Sequence, residues 1–500
     1  MSKRATPIKR AKIILDQNAA MPLYRQLYER LRTEILEQQL EAGARLPSTR
    51  ALASELGVSR NTTALAYELL LLEGYIESRV GHGTRVAQVR SEQRSAGKKS
   101  ETARTTEAAP RLLSRRGQLL LNTPHAGEMY ANLAEKEASI FRAGQPDMEA
   151  FPYEIWARLM AKHARQSLRA ASRHQQTAGY APLREAIARH IGITRGVSCS
   201  PEQIILTAGS QGALDLAARV LLDPGDAAWV EDPGYPGARG ALLAAGASLI
   251  PVPVDQEGLD VAAGLRLRPD ARLAAVTPSH QFPTGVTMSL SRRLALLEWA
   301  REAEAWILED DYDSEFRFSG RPLEALQGLD QARRVIYIGT FSKVLFPALR
   351  LGYLVAPVEL IKGLIAARHF IDVHPPLLEQ MALADFIAEG HFTRHLRRMR
   401  TLYLERRNAL ISALKEEFGE RLDITIPEAG IHLLAWLPPG LNSREVAAQA
   451  AQHGLDIAPA SATSEHSARG DGIMLAYAGA DPAQLRAGVR RLALALSSLL

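Results

Sequence analysis

The sequence predicts a multidomain protein: an α+β winged helix-turn-helix at the N-terminus and a larger α/β domain behind it. Three observations carry this. Within residues 48–72 two short helical patterns, each opened by a serine, meet across a glycine turn, and a hairpin pattern follows. From about residue 117, short and nearly all-apolar runs alternate with amphipathic helical patterns, the sign of a parallel sheet covered on both faces. Between the two, residues 88–116 are rich in Ser, Thr, Arg, Lys, Ala and Glu without apolar period, a composition that cannot bury enough surface to order itself and so reads as a linker. The expected boundaries are therefore 20–87, 88–116 and 117–500, the last with a large lobe at about 180–380 and a small lobe from the flanking parts.

Composition agrees with this division. A chain of 500 residues, 46% hydrophobic and 23% charged, has ample material for a core and accommodates roughly two to four domains. Its net charge of +5 is uneven: residues 1–120 carry +9, which leaves −4 for the remainder. That asymmetry points to a nucleic-acid partner for the N-terminal part. The single cysteine, Cys199, rules out an intrachain disulfide and a cysteine-based zinc site, and suits a reducing, cytoplasmic compartment. No uninterrupted apolar run reaches the ~18 residues of a membrane span. No metal-ligand cluster stands out, and the histidines are scattered.

Within the first domain, an opening helix at 23–39 carries Leu23, Leu27, Leu31 and Ile35 at four-residue spacing, one buried stripe. Ser48 caps the next helix, in which Leu52 and Leu56 share a face, and Gly57-Val58 makes the turn. Ser59 caps the second helix, with Leu65, Leu69 and Leu72 as the expected inner stripe. Arg60, Asn61 and Thr63 in its first turn are read as free to point outward, Thr63 standing between groove contact and plain helix surface. In such a pair the second helix reads the major groove with its N-terminal residues. A strand at 75–80, a Gly81-His82-Gly83 turn and a return strand at 84–86 form a wing.

This stretch resembles the GntR-type winged helix-turn-helix in Pro22-Leu23-Tyr24, Leu46-Pro47-Ser48-Thr49-Arg50, Val58-Ser59-Arg60-Asn61-Thr62 and Gly81-His82-Gly83-Thr84. The resemblance implies DNA contact by Arg50, Arg60, Thr62 and the wing glycines Gly81 and Gly83. Ser59, Asn61, Thr63 and His82 complete the candidate DNA-facing set.

In the second domain, apolar runs at 203–207, 228–231, 274–277, 306–310 and 335–338 are the expected strands. Chemistry-bearing residues cluster just beyond them. Gly339-Thr340-Phe341-Ser342-Lys343 follows one run, and a strand-end lysine beside hydroxyls suits a Schiff-base lysine next to a phosphate. Arg350 offers a fixed positive charge. Asp310 and Tyr312 lie two apart, so that they face one side; a carboxylate there can keep a pyridine nitrogen protonated and a phenol can bond a ring oxygen. The competing reading of Asp310, Asp311 and Asp313 is a divalent-ion site. Thr207-Ala208-Gly209-Ser210-Gln211-Gly212 opens a helix whose free N–H groups favour an anion. Glu231-Asp232-Pro233-Gly234-Tyr235 places an aromatic ring at a strand end, and Thr277-Pro278-Ser279-His280-Gln281-Phe282-Pro283-Thr284-Gly285 is a further polar strand-end loop.

In this order the segments resemble the aminotransferase-like domain of the MocR/GabR group of regulators, a branch of the fold-type I pyridoxal-phosphate enzymes, over roughly residues 135–500. The resemblance implies pyridoxal 5′-phosphate as cofactor and Lys343 as the lysine that forms its aldimine. It makes Asp310 the partner of the pyridine nitrogen, Tyr312 of the phenolic oxygen and Tyr235 the stacking ring, with Ser210, Gln211, Thr340, Ser342 and Arg350 around the phosphate. Three departures stand out. Phe282-Pro283-Thr284-Gly285 replaces the usual Asn-Pro-x-Gly, leaving His280 or Gln281 to substitute for the amide. The C-terminal strand 472–477 has Met474 near the position of the substrate-carboxylate arginine, the nearest arginine being Arg469. Neither His174 nor Gln175 is the tyrosine expected to reach across from a partner subunit.

The expectation is thus a cytoplasmic, pyridoxal-phosphate-dependent, DNA-binding transcriptional regulator. It would be a homodimer on an operator with paired half-sites, sensing the cofactor or a small amine or amino acid, with no membrane partner. The alternative is a working aminotransferase with a fused DNA-binding domain; the missing carboxylate arginine argues against it. A large domain that is only a scaffold is the third reading, opposed by Lys343 and Asp310.

Overall fold

The computed structural model describes residues 14–79, 83–87, 113–123, 140–170 (without the side chains of 165–170), 177–318, 320, 323–464 and 470–497. Gly81, His82, linker residues 88–112, His174, Gln175 and Arg469 lie outside the described residues. The chain divides into two compact units, Met1–Ala109 and Pro110–Leu500.

In the first unit, helices α1 (Leu23–Leu36), α2 (Thr49–Leu56) and α3 (Arg60–Leu72) precede strands β1 (Ile76–Arg79) and β2 (Gly83–Val86), which pair antiparallel. Ser48 and Ser59 cap α2 and α3 by accepting from Ala51 N and Thr62 N, and Gly57 ends α2 at φ 66, a left-handed geometry that glycine adopts without a Cβ penalty. Leu27, Leu31 and Ile35 bury the α1 stripe against Leu52, Tyr67, Leu70, Ile76 and Val86. Each such fully buried aliphatic side chain contributes about 1.5–3 kcal/mol. The inner face of α3 differs from the expected one. Leu65 is 46% and Leu72 78% exposed, while Thr63, Ala66, Tyr67 and Leu70 are buried. Leucine spacing alone rotated the helix wrongly, because the small Thr63 and Ala66 are what allow α3 to approach its neighbours.

The second unit begins with a helix, α4 (Arg115–Asn122), capped by Ser114 and tied by Arg116 Nη1 to the carbonyl of Ala244 at 3.1 Å. It thus starts two residues ahead of the boundary expected at 117. The main sheet uses β3 (Ile204–Thr207), β4 (Ala227–Asp232), β5 (Ser248–Asp255), β6 (Gly258–Leu259), β7 (Leu273–Val276), β8 (Trp306–Asp311), β9 (Val335–Thr340) and β10 (Gly352–Val355). Their spatial order is β3-β10-β9-β8-β7-β4-β5-β6. The core from β9 to β5 is parallel, but β10 runs antiparallel to both β3 and β9, and β6 antiparallel to β5, so the sheet is mixed where a parallel one was expected. Interior strands β4, β7 and β9 and the edge strand β3 are buried at every position, which is why they read as unbroken apolar runs. One apolar cluster packs the helix Gly209–Leu221 on one face of the sheet; another, with Trp229 stacked on Trp299 at 3.9 Å, fills the opposite side.

A second, antiparallel sheet of order β11-β12-β14-β13 is formed by β11 (Asp423–Thr425), β12 (His432–Trp436), β13 (Ala458–Pro459) and β14 (Gly472–Ala476). The 28-residue helix His391–Phe418 and the helix Pro482–Leu496 pack with it in the largest apolar cluster.

Candidate cofactor and nucleic-acid sites

The sheet topology gathers the expected site residues on one edge. Parallel strands β4, β7, β8 and β9 end at Asp232, Val276, Asp311 and Thr340, and the residues that follow them meet in the crevice outside those carboxyl ends. Because β10 is antiparallel, its first residue, Gly352, pairs with both Thr207 and Thr340. Arg350, two residues ahead of it, therefore arrives beside the ends of β3 and β9. Its Nη2 donates to Ala208 O at 3.0 Å, and its guanidinium lies over Gly209, where the helix Gly209–Leu221 begins. A Cβ on Gly352 would stand 2.6 Å from the Gly209 backbone, so this approach requires glycine.

Around that helix N-terminus sit Ser210 and Gln211, half-buried, with Gln211 Nε2 donating to Gly237 O at 2.9 Å. Thr340 Oγ1 accepts from Ser342 N at 3.2 Å, and Ser342 Oγ is buried without a hydrogen-bond partner among the described residues. Helix N–H groups, hydroxyls and a guanidinium form a cradle for a phosphate. Lys343 Nζ donates to Gly144 O at 3.0 Å, and burial lowers its pKa against the opposing pull of Asp313 and Asp310.

The three aspartates that follow Glu309, namely Asp310, Asp311 and Asp313, do not converge, as an ion site would need. Asp311 accepts from Arg195 Nε at 2.8 Å and from Tyr337 Oη at 2.7 Å. Asp313 is hydrogen-bonded to His280 Nδ1, 3.0 Å from each carboxylate oxygen. Asp310 faces both Lys343 and Tyr235, and its Oδ1 is buried without a partner among the described residues. Burial, then Asp311, Glu231 and Asp313, push the Asp310 carboxyl up to about 7; a ring-nitrogen cation at Oδ1 would draw it back down. Tyr235 is set edge-on to Phe282 at 5.6 Å, and burial raises its phenol to about 12. Tyr312 Oη lies 3.1 Å from His280 Nδ1. The two unpartnered polar atoms suit the two ends of pyridoxal phosphate: Asp310 Oδ1 can accept from a protonated pyridine nitrogen, and the Ser342 hydroxyl can donate to a phosphate oxygen.

Of the two proposed substitutes for the missing amide, Gln281 is spent. Its Nε2 donates to Glu231 Oε2, Pro233 O and Phe282 O, and its Oε1 accepts from Thr284. His280 is the one that meets Tyr312. It also forms, with Asp313 and His432, a buried group whose ligand-type atoms lie within 4.8 Å of one another, a cluster invisible in the sequence because its members come from three distant segments. Met474 is fully buried among Ala143, Phe282, Leu434, Trp436, Ala458 and Ala460, against Tyr235 and Tyr312. The wall of the crevice on the β14 side is thus apolar.

In the winged unit, Arg50, Ser59, Arg60 and Asn61 are exposed and Thr62 is half-buried; Ser59 Oγ and Thr62 Oγ1 are hydrogen-bonded at 2.8 Å. Neither Arg50 nor Arg60 forms an ion pair among the described residues. Thr63 is corrected: it is fully buried, and its hydroxyl donates to Thr49 O at 2.8 Å and to Arg60 O at 3.0 Å, clamping α3 to α2. At the wing, Gly83 lies against the exposed Arg45, whose Nε would stand 3.1 Å from a Cβ there. Arg45 was not singled out in the sequence; its pairing with Arg85 brings it to the wing.

Fold and site together define a GntR-type winged helix-turn-helix joined to a fold-type I aminotransferase-like domain. The profile described as "Bacterial regulatory proteins, gntR family" matches residues 23–86, and "Aminotransferase class I and II" matches residues 141–492. The chain is 44% identical to the probable rhizopine catabolism regulatory protein MocR of Rhizobium meliloti, covering 97% of this chain and 96% of that one. It is 36% identical to the HTH-type transcriptional regulator TauR of Rhodobacter capsulatus, covering 92% and 94%. Among solved structures it is similar to the Pyrococcus horikoshii kynurenine aminotransferase, with a TM-score of 0.71 and 30% identity over 78% of this chain and 98% of that one. The chain belongs to the aminotransferase class I and II family and, over its full architecture, to the MocR-type transcriptional regulators, whose cofactor is pyridoxal phosphate.

Proposed function

We propose that this chain is a pyridoxal-phosphate-dependent transcriptional regulator. Its winged unit holds operator DNA through Arg50, Ser59, Arg60, Asn61, Thr62 and the wing, and its aminotransferase-like unit senses the cofactor or a small amine. The observation that carries this reading is a mismatch within one crevice. Lys343, Asp310, Tyr235 and Arg350 surround a cofactor-shaped cradle, while the β14 wall presents the buried Met474 where an enzyme would hold a substrate carboxylate with an arginine. A carboxylate against that apolar wall loses water and gains no partner, so the favoured effector is an amine without an α-carboxylate.

Pyridoxal phosphate, when bound, supplies an aldehyde that a primary amine can condense with and a ring that withdraws electrons. The chain's own residues do the rest. Lys343, kept short of full basicity by burial, is the amine that would hold the cofactor's aldehyde end. Asp310 keeps the ring nitrogen protonated, and Arg350 with the Gly209–Leu221 helix anchors the phosphate. The change at Lys343 must favour one of two arrangements of the winged units for a signal to result. We infer a homodimer, hence paired half-sites, and a cytoplasmic location, where the DNA partner is. No helix among the described residues is long and apolar enough to cross a membrane.

A second reading, an active aminotransferase with a fused DNA-binding unit, is favoured by the retention of the full Lys343–Asp310–Tyr312 set. One experiment divides them. The purified protein is followed by cofactor absorbance while amines and amino acids are added with a keto-acid acceptor. The regulator reading expects spectral change with amines and no sustained keto product; sustained turnover overturns it. A band that persists unchanged in Lys343→Ala overturns the cofactor assignment.

A further inference from the structure

Tyr312 stands at the centre of a hydrogen-bond geometry that leaves its proton only one useful direction. His280 Nδ1 is 3.0 Å from Asp313 Oδ1, 3.0 Å from Asp313 Oδ2 and 3.1 Å from Tyr312 Oη. A single ring nitrogen offers either one hydrogen or one lone pair. Equal distances to both carboxylate oxygens are the geometry of one N–H shared by an ionised carboxylate; a carboxylic O–H would approach through one oxygen. Asp313 is fully buried, so without that N–H its charge would be desolvated and uncompensated. Nδ1 therefore carries the hydrogen, and it has no lone pair to take the Tyr312 proton.

The alternatives are closed as well. Phe282 occupies the amide's place and meets Tyr312 edge-on at 6.3 Å, and the Gln281 amide is engaged elsewhere. Gly430, at φ +88, makes the pairing sterically possible: a Cβ there would lie 2.1 Å from His280 Cε1 and 2.8 Å from Asp313 Oδ2. The other titratable groups facing this cluster are Glu231 from β4, Asp310 and Asp311 from β8, Lys343 beyond β9, His432 from β12 and Tyr477 beyond β14.

We propose that Asp313 and His280 form a positioning pair that fixes the direction of the Tyr312 hydroxyl, making Tyr312 an obligate donor to the phenolic oxygen of the bound cofactor. The pair acts through Tyr312 and touches no reacting atom. It secures one donor, the phenol, where the missing amide would have given a second. The inference rests on the cofactor reading of this crevice. A donor to the ring oxygen competes with that oxygen's hold on the proton of the lysine-bound nitrogen. The pair thereby sets the pH at which the cofactor's absorbance changes.

The test is a double-mutant cycle read by absorbance against pH in the loaded full-length protein. Tyr312→Phe removes the donor and should raise the apparent pKa of the band by about one unit, tenfold in proton affinity. Asp313→Asn frees the His280 tautomer, letting Nδ1 accept from Tyr312, and should raise it in the same direction by no more than that. In the Tyr312→Phe background Asp313→Asn should leave only the fall that loss of a charge acting on Lys343 brings, so its effect in the two backgrounds should differ by the rise that runs through Tyr312. His280→Gln runs the same cycle where Asp313→Asn does not fold, since the Gln carbonyl can capture the Tyr312 proton while its amide donates to Asp313. A shift of equal size in both backgrounds overturns the positioning role. Persistence of the band in Lys343→Ala, by contrast, overturns the cofactor reading beneath it.

Discussion

Lys343 Nζ donates to the carbonyl of Gly144 at 3.0 Å, and nothing larger than glycine fits beneath it: a Cβ on Gly144 would lie 2.4 Å from Nζ, on a backbone at φ +72. The segment carrying Gly144 thus sets where the lysine head rests. Gly144→Ala should displace Nζ, because the lysine is the flexible partner, at a strain of about 1–2 kcal/mol. The expected outcome is at least tenfold weaker cofactor retention, measured by absorbance titration. Retention equal to wild type would show that Gly144 does not position the lysine.

The ion pair of Arg195 and Asp311 anchors β8 from below the crevice. Both side chains are buried, Asp311 also accepts from Tyr337, and Arg195 also donates to Ser279 on the loop after β7. Removing one partner leaves an uncompensated buried charge. Arg195→Met should therefore cost about 3–5 kcal/mol of stability by denaturant unfolding. Arg301→Ala, whose partner Glu298 lies on the exposed face of the same lobe, should stay within about 1 kcal/mol of wild type.

Two neighbours in α3 should separate stability from recognition. Thr63→Val removes a buried hydroxyl that clamps α3 to Thr49 O, and should cost about 1–2 kcal/mol in the winged unit while the folded fraction binds DNA normally. Arg60→Ala should leave the melting curve unchanged, weaken operator binding and reduce the slope of log affinity against log salt by about 1 if it meets a phosphate. Fluorescence anisotropy across a salt series checks both. Normal DNA binding by Arg60→Ala would displace the recognition surface from this helix start.

How much was legible beforehand follows from which signals are local. The caps Ser48 and Ser59, the buried strands and the strand-end placement of Lys343 and Asp310 depend on neighbouring residues, and sequence reading found them. The rotation of α3 was missed because a leucine-rich helix offers two apolar faces, and only the approach of Thr49 to Thr63 decides between them. The reversal of β10 was missed because a short buried strand carries no mark of its direction, yet that reversal is what delivers Arg350 to Gly209. The cluster of His280, Asp313 and His432 needs three strands folded together before it exists.

The crevice should also make stability depend on pH in a direction opposite to that of ordinary ion-paired carboxylates. Burial raises Glu231 and Glu309 to about 7 from an ordinary value of 4.5. In the window between 4.5 and 7 the folded form therefore binds protons that the unfolded chain has released. By linkage, stability is fully present below the lower value and declines as pH rises to the upper one. For Glu231 alone the loss is on the order of 3 kcal/mol. Its carboxyl accepts from Thr277 N, Thr277 Oγ1 and Gln281 Nε2, and a neutral amide can keep much of this by reversing the Thr277 hydroxyl. Glu231→Gln should therefore flatten the decline when unfolding of the cofactor unit is measured on either side of that window. Asp310 follows the same rule only while no cation faces its Oδ1, so saturating pyridoxal phosphate should flatten the curve further in wild type and leave Asp310→Asn unmoved. A decline that is as steep in Glu231→Gln as in wild type would remove this carboxyl as its source.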